Sequence, residues 1–295
     1  MNKIVKKRFL NDAHSLFEMK IEAPLVAKKA HGGNFVIVRL HKKGERVPLT
    51  VADYDREKGT VSIVVQPLGK STQYMATLEE GERILDFVGP LGKKAHIEEY
   101  KNPVVLVGGG VGIAPIYPQA KELKEAGNEV ICIIGARNEK LLFWQDKLKN
   151  VSDELIICTD DGSAGREGFV TDALRDLMKQ KELSRVIAIG PLIMMKFVAE
   201  LTRGEKDLPK VPTTVSLNPI MVDGTGMCGG CRFSTLDGQV KFACVDGPDV
   251  DGHNVDFDNL ISRNSRFECE EEECLTHYEE HACKLDDKIE ELEEK

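Results

Sequence analysis

The sequence lacks any apolar stretch long enough to cross a bilayer. Its longest run, VIAIGPLIMMKFVAEL, is interrupted by Gly190, Pro191 and Lys196, short of the ~20 consecutive apolar residues a membrane helix needs. There is no signal-peptide core either, because the basic opening MNKIVKKRFLNDAHSLFEMK is broken by Asp12, His14 and Glu18. These two absences lead us to expect a cytoplasmic protein with no membrane span. Basic excess is missing as well. The net charge is −9, and residues 268–295 hold thirteen acidic and three basic side chains, which leaves residues 1–267 at +1. A nucleic-acid binder needs a concentrated basic face, so that class is set aside. No internal repeat is present, and the seven histidines are scattered with no Ser/His/Asp constellation around them.

What is present divides the 295 residues into more than one domain, since a typical domain holds about 100–150. Residues 1–98 show short, β-branched stretches separated by turn signals: NFVIVRL, HKKGER, VPLTVADYD, REKG and TVSIVVQPL. Fair alternation and the absence of long helical periodicity before residue 75 point to strands in an antiparallel barrel or sandwich. After KNP (101–103) the pattern changes. VVLVGG (104–109), EVICIIG (129–135), ELIICTD (154–160) and RVIAIG (185–190) are continuous apolar runs of the kind found in buried parallel strands. Helical segments lie between them, including KLLFWQDKLKN and FVTDALRDLMKQ, the latter with Val170, Leu174, Leu177 and Met178 on one face. Strand and helix alternating at this spacing define a parallel α/β domain over 99–215. From 216 to 265 glycine, cysteine and aspartate dominate, and 266–295 is an acidic tail. The expected fold is multi-domain α+β: an antiparallel barrel, a parallel α/β domain, then a small cysteine-bearing domain.

Between the first buried strand and its helix lies GGGVGIAPI (108–116). A diphosphate approaching backbone N–H groups needs such a side-chain-free turn. The residues Gly110, Gly112 and Pro115 read as G-x-G-x-x-P, which departs from the G-x-G-x-x-G dinucleotide fingerprint. A tight strand–helix turn with no ligand is the alternative.

The turn is accompanied by RVPLT (46–50), GKST (69–72), GPLG (89–92) and GPLIMMK (190–196). Over about residues 1–215 this order resembles the ferredoxin–NADP reductase superfamily, in which a flavin-binding β-barrel precedes a nicotinamide-nucleotide domain. The resemblance implies FAD near Arg46, Pro48, Leu49 and Thr50, its diphosphate at Gly69, Lys70, Ser71 and Thr72, and nicotinamide beside Gly190 and Pro191. Arg46 stands one residue earlier than the superfamily spacing would put it, with Val47 in that place. Ile189 stands where many relatives have cysteine, so no thiol is expected by the nicotinamide. Hydride transfer between nicotinamide and flavin needs proximity and stacking rather than a side-chain acid. For the adenosine end, Arg137 in GARNEK is opposed by Glu139, Asp160 and Asp161. A 2′-phosphate would want clustered cations, so NAD(H) is favoured over NADP(H).

In MVDGTGMCGGC (221–231) Asp223, Cys228 and Cys231 are followed by Cys244. Plant-type ferredoxins hold [2Fe–2S] with C-x4-C-x2-C and a distant cysteine. Here aspartate occupies the first position, giving Asp223, Cys228, Cys231 and Cys244 as ligands. Zinc on the same four residues, a cluster with some other fourth ligand, and unligated thiols stay open. The cluster segment on a flavin reductase resembles the electron-transfer subunits of dihydroorotate dehydrogenase. With aspartate first, it is similar to the small subunits of NADH-dependent reduced ferredoxin:NADP oxidoreductases. That likeness implies a large flavoprotein partner carrying FAD and [4Fe–4S] clusters, with ferredoxin served indirectly. A zinc-containing scaffold on a degenerate reductase fold is the reading from another class. The tail holds Cys269, Cys274, His277, His281 and Cys283. It is expected to be a solvated acidic segment rather than a second metal site.

Overall fold

The computed structural model describes residues 2–204 and 207–278. In the N-terminal part, β1 (Ile4–Phe9), β2 (Phe17–Glu22), α1 (Pro24–Lys29), β3 (Phe35–Arg39), β4 (Val47–Thr50), β5 (Asp53–Asp55), β6 (Thr60–Val65), α2 (Lys70–Thr77) and β7 (Asp86–Leu91) follow in order. They form two antiparallel sheets, β1-β2-β6-β5 and β4-β3-β7. Phe17, Met19, Ile21, Val36, Val38, Val61, Ile63 and Val65 fill the space between them. VPLTVADYD, expected as one extended stretch, is divided between the sheets. Its β4 half pairs with β3 and its β5 half with β6, and the chain crosses over at the buried Val51 and Ala52. GKST, expected at the flavin diphosphate, opens α2, with Gly69 at the N-cap.

The second part comprises β8 (Val104–Gly109), α3 (Ile113–Glu125), β9 (Val130–Ala136), α4 (Gln145–Lys149), β10 (Glu154–Thr159), β11 (Arg166–Glu167), α5 (Val170–Gln180), β12 (Arg185–Ile189), α6 (Leu192–Leu201) and β13 (Thr213–Ser216). Strands 8 to 13 are parallel in the order β11-β10-β9-β8-β12-β13. Alternate residues of one strand face opposite sides of a sheet, and the two cores follow that rule. Val105, Val107, Ile131, Ile133 and Val186 pack under α5 and α6, whereas Leu106, Val130, Cys132, Ile134 and Ile187 pack under α3 and α4. Burial on both faces explains why these strands read as unbroken apolar runs.

The helix expected over KLLFWQDKLKN is shorter, covering only Gln145–Lys149. Leu142, Phe143 and Trp144 are drawn into the core instead, and Trp144 takes a left-handed conformation, φ +56°. Core burial of three large side chains overrides local helix propensity here.

The cysteine-bearing segment forms β14 (Arg232–Ser234), β15 (Val240–Phe242), α7 (Ala243–Asp246), β16 (Asp249–Asp251) and α8 (Phe257–Asn264). It is not a detached layer. β16 returns to the parallel sheet as an antiparallel edge beside β13, which brings the cysteine loops against the barrel and the parallel α/β domain. Residues 268–278 are helical. His281 and Cys283 of the tail lie outside the described residues. Among the described residues no helix is long and apolar enough to cross a membrane.

Candidate functional site

Parallel strands place ligands at their carboxyl ends, and two adjoining cavities lie there. One, of about 470 Å³, is lined by Pro48, Leu49 and Thr50 from the barrel, by Gly109–Gly112 and Pro115 from the glycine turn, by Ile189–Pro191, and by Ser216–Pro219. The other, of about 340 Å³, holds Arg137, Asp160, Gly168 and Phe169. They share Gln66, Gly109, Gly110, Val111 and Pro191, so a single trough runs across the glycine turn. Ile189 lines the first cavity with an apolar side chain.

The two fingerprint glycines answer to different constraints. Gly110 has φ +55° and open space where a Cβ would stand. Its bare backbone faces the trough, as close approach of a diphosphate requires. Gly112 has an ordinary helical φ of −62°, but a Cβ there would lie 2.1 Å from the Ile189 carbonyl oxygen. It is glycine because the turn packs against the end of β12.

The expected site residues separate. Pro48, Leu49, Thr50, Gly110, Gly112, Pro115, Arg137, Asp160, Gly190 and Pro191 all line the trough. Asp161 turns away, its Oδ1 accepting from the Ser163 N–H (3.0 Å) and hydroxyl (2.6 Å). These donors hold its carboxyl below the usual range. Gly69, Lys70, Ser71 and Thr72 lie outside both linings. Thr72 Oγ1 accepts from the Leu68 and Gly69 amides, and Ser71 donates to Glu45. Arg46 is directed elsewhere: its Nε donates to the Val222 carbonyl at 2.7 Å. Sequence reasoning missed Gln66, which lines both cavities, and Phe169, 62% exposed in the second. Neither belongs to a motif, although an exposed phenylalanine opening a helix is a readable anomaly.

The four expected metal ligands stand as two pairs. Cys228 Sγ donates to Asp223 Oδ1 at 3.0 Å, and Cys231 Sγ lies 3.1 Å from Cys244 Sγ. Asp223 Oδ2 accepts from the Thr225 hydroxyl and the Met227 amide, each at 2.8 Å. The Cys228 thiol, then these donors, hold the Asp223 carboxyl well below the usual carboxylate range. Burial, then Cys231, push the Cys244 thiol up to about 12; a bound cation reverses this, since a ligating thiol is deprotonated. Amides of Gly230 and Cys244 point at the sulfurs of Cys228 and Cys231, 3.4 and 3.5 Å away. Among the described residues no three His, Cys, Asp or Glu side chains converge on a single point. Three thiols and an ionised carboxylate in two pairs are a donor set that fits a binuclear iron–sulfur group, two ligands to each iron.

A barrel, a parallel nucleotide domain and a cysteine-rich segment joined at one trough define an NAD-linked oxidoreductase with an iron–sulfur module. Comparison with known proteins agrees. Residues 106–200 match the oxidoreductase NAD-binding domain, and residues 218–256 match the iron–sulfur cluster binding domain of dihydroorotate dehydrogenase B. A homologue of the dihydroorotate dehydrogenase B (NAD(+)) electron transfer subunit from Thermotoga maritima is 51% identical over 90% of this chain and 92% of its own length. The electron transfer subunit of Fusobacterium nucleatum is 31% identical over 80% and 91%. Among solved structures, a chain of an NADH-dependent reduced ferredoxin–NADP oxidoreductase, studied for flavin-based electron bifurcation, superposes with a TM-score of 0.86. It is 48% identical and covers 94% of this chain and 97% of its own.

The chain therefore belongs to the family of dihydroorotate dehydrogenase B electron-transfer subunits and their homologues. It is an FAD- and iron–sulfur-dependent oxidoreductase component that exchanges electrons with NAD(H).

Proposed function

We propose that the chain is the small, cytoplasmic electron-transfer subunit of a flavin-based electron-bifurcating NADH-dependent reduced ferredoxin:NADP oxidoreductase. Asp223 and Cys228 hold one iron of a [2Fe–2S] cluster, and Cys231 and Cys244 hold the other. The observation that carries the reading is the paired arrangement of these donors beside a trough that runs from the barrel to the adenosine end. A mononuclear zinc site needs its donors gathered around one point, so the pairing favours the cluster.

When bound, the FAD and the cluster supply the change between two-electron exchange with nicotinamide and one-electron exchange with a partner protein. The chain's own residues orient and enclose these groups. Pro48, Leu49 and Thr50 form the barrel-side wall of the trough, and Gly109–Gly112 open its floor to the phosphates. Ile189, Gly190 and Pro191 wall the nicotinamide end with apolar and backbone surface, which keeps water from the hydride path. Lys70, Ser71 and Thr72, in the first turn of α2 with Lys70 exposed, offer amides and a cation to the flavin diphosphate.

Cys228 is exposed, and Met227 (86% exposed), Val222 (51%) and Val245 (39%) form an apolar rim around the ligand loops. Such a rim suits docking of the large flavoprotein subunit, itself bearing FAD and [4Fe–4S] clusters, through which ferredoxin is served. Serving dihydroorotate dehydrogenase is the second reading, favoured by the 31% identical relative that bears that name.

At the adenosine end Asp160 lines the cavity beside Arg137. A carboxylate there accepts from a ribose 2′-hydroxyl and repels a 2′-phosphate. Anaerobic titration of the flavin-loaded protein tests this. NADH is expected to bleach the flavin at far lower concentration than NADPH, and Asp160→Ala is expected to narrow the ratio by about tenfold, near 1.4 kcal/mol. Equal response of the wild type to both nucleotides would contradict the assignment.

A further inference from the structure

Arg46 immediately precedes β4 but does not join Pro48, Leu49 and Thr50 in lining the trough. Its Nε donates to the Val222 carbonyl at 2.7 Å, and Nη2 reaches the Asp223 carbonyl at 3.5 Å. The two carbonyls are consecutive, and the second belongs to the residue whose carboxylate pairs with Cys228. Among the described residues no carboxylate forms an ion pair with Arg46. The acceptors that face the guanidinium are main-chain carbonyls of the ligand loop.

The same loop is held to the barrel a second way. Gly224, next in sequence, is buried with φ +74°. A Cβ there would stand 2.9 Å from Leu91 Cδ1 and 3.1 Å from Ile37 Cγ1, both on barrel strands. The loop thus lies flat on the flavin domain, with Arg46 clamping the residues just before the close contact. The planar fork of arginine suits adjacent carbonyl acceptors, whereas lysine offers a single point charge.

We propose that Arg46 is a positioning residue for the cluster: it fixes the Asp223 half of the ligand set against the flavin domain and raises the cluster's reduction potential. This rests on the cluster assignment above. The direction follows from charge. Reduction adds one negative charge to the cluster, and a fixed cation nearby favours the more negative state. Removing the cation lowers the potential, and replacing the fork with lysine keeps the charge but loosens the loop. The one-residue displacement of this arginine from its superfamily spacing acquires a physical reason, since from position 46 the side chain serves the cluster loop instead of the trough.

The test is an anaerobic redox titration of the cluster, followed by electron paramagnetic resonance, in wild type, Arg46→Gln and Arg46→Lys, with FAD content measured alongside. The expected result is a clear downward shift of the midpoint in Arg46→Gln and a smaller one in Arg46→Lys, with FAD retained in both. An unchanged midpoint in a cluster-loaded Arg46→Gln overturns the proposal, as does loss of FAD with the cluster unaltered. No [2Fe–2S] signal in the wild type would instead remove the cluster assignment. Hydrogen exchange of the 221–231 amides in chelator-treated protein provides a measurement independent of cluster loading. Faster exchange in Arg46→Gln supports the clamp, and identical exchange refutes it.

Discussion

Replacing Gly110 and Gly112 by alanine, one at a time, separates a glycine that serves the ligand from one that serves packing. At Gly112 the added Cβ falls 2.1 Å from the Ile189 oxygen, 2.6 Å from its carbonyl carbon and 2.8 Å from Gly190 Cα. All three are backbone atoms, so no side-chain rotation relieves the overlap. The backbone at Gly112 is itself comfortable for alanine, and the cost is steric alone. Overpacking of this kind costs about 1–3 kcal/mol, and backbone atoms place it toward the upper end. For a chain of this size 1 kcal/mol moves Tm by about 2–4 °C, so Gly112→Ala is expected to lower Tm by roughly 4–10 °C. At Gly110 the space is open, and the penalty is the left-handed φ, about 1–2 kcal/mol. Part of that is offset because alanine restricts the unfolded chain by about 0.4–1 kcal/mol. Tm should then fall by only about 2–4 °C, whereas a methyl group projecting into the trough should weaken NADH binding at least about tenfold. Differential scanning fluorimetry and flavin-quenching titration read the two quantities on the same samples. A Gly112→Ala protein as stable as wild type, or a Gly110→Ala protein with unaltered NADH affinity, refutes the argument.

Lys147 ties the two main domains, with its ammonium 2.7 Å from Asp53 of β5 and 3.9 and 3.7 Å from the ring centroids of Tyr117 and Trp144. Lys147→Met is expected to cost about 1–2 kcal/mol, and adding Asp53→Asn should restore part of it in a double-mutant cycle; additive losses would show the pair to be uncoupled. Asp249 is half-buried, its Oδ2 accepts from Gln119 while the inaccessible Oδ1 has no partner among the described residues, and burial raises its pKa to about 6. The folded state thus binds the proton more tightly than the unfolded state, so stability from this group is full below about pH 4 and lost as pH rises through about 6. Asp249→Asn should match wild type near pH 4 and exceed it by up to about 3 kcal/mol above pH 7, as read from denaturation at both ends; a difference independent of pH would refute the sign.

The parts of the fold legible in the sequence are those where burial alone dictates the pattern. VVLVGG and RVIAI are covered by helices on both faces, so their boundaries could be read almost to the residue. Segments governed by tertiary packing could not. Leu142, Phe143 and Trp144 look helical by spacing but are claimed by the core under α4, and VPLTVADYD is split because it crosses between two sheets. At the site, glycine spacing marked the strand–helix turn, and cysteine spacing marked the loops that pair Cys228 with Asp223 and Cys231 with Cys244. The contact of Arg46 with carbonyls 176 and 177 positions away left no trace, because any residue type offers a carbonyl. The return of β16 to the nucleotide sheet was hidden for the same reason: pairing uses backbone groups that three residues of sequence do not specify.

The central claim, that two ligand pairs hold a [2Fe–2S] cluster through Asp223, is met most directly by one spectrum. Electron paramagnetic resonance of the anaerobically purified, chemically reduced protein should show a spin-one-half signal of about one spin per chain, with an altered signal in Asp223→Cys. Silence in that spectrum with one zinc bound per chain would contradict the account and leave a flavin reductase with a structural zinc knuckle.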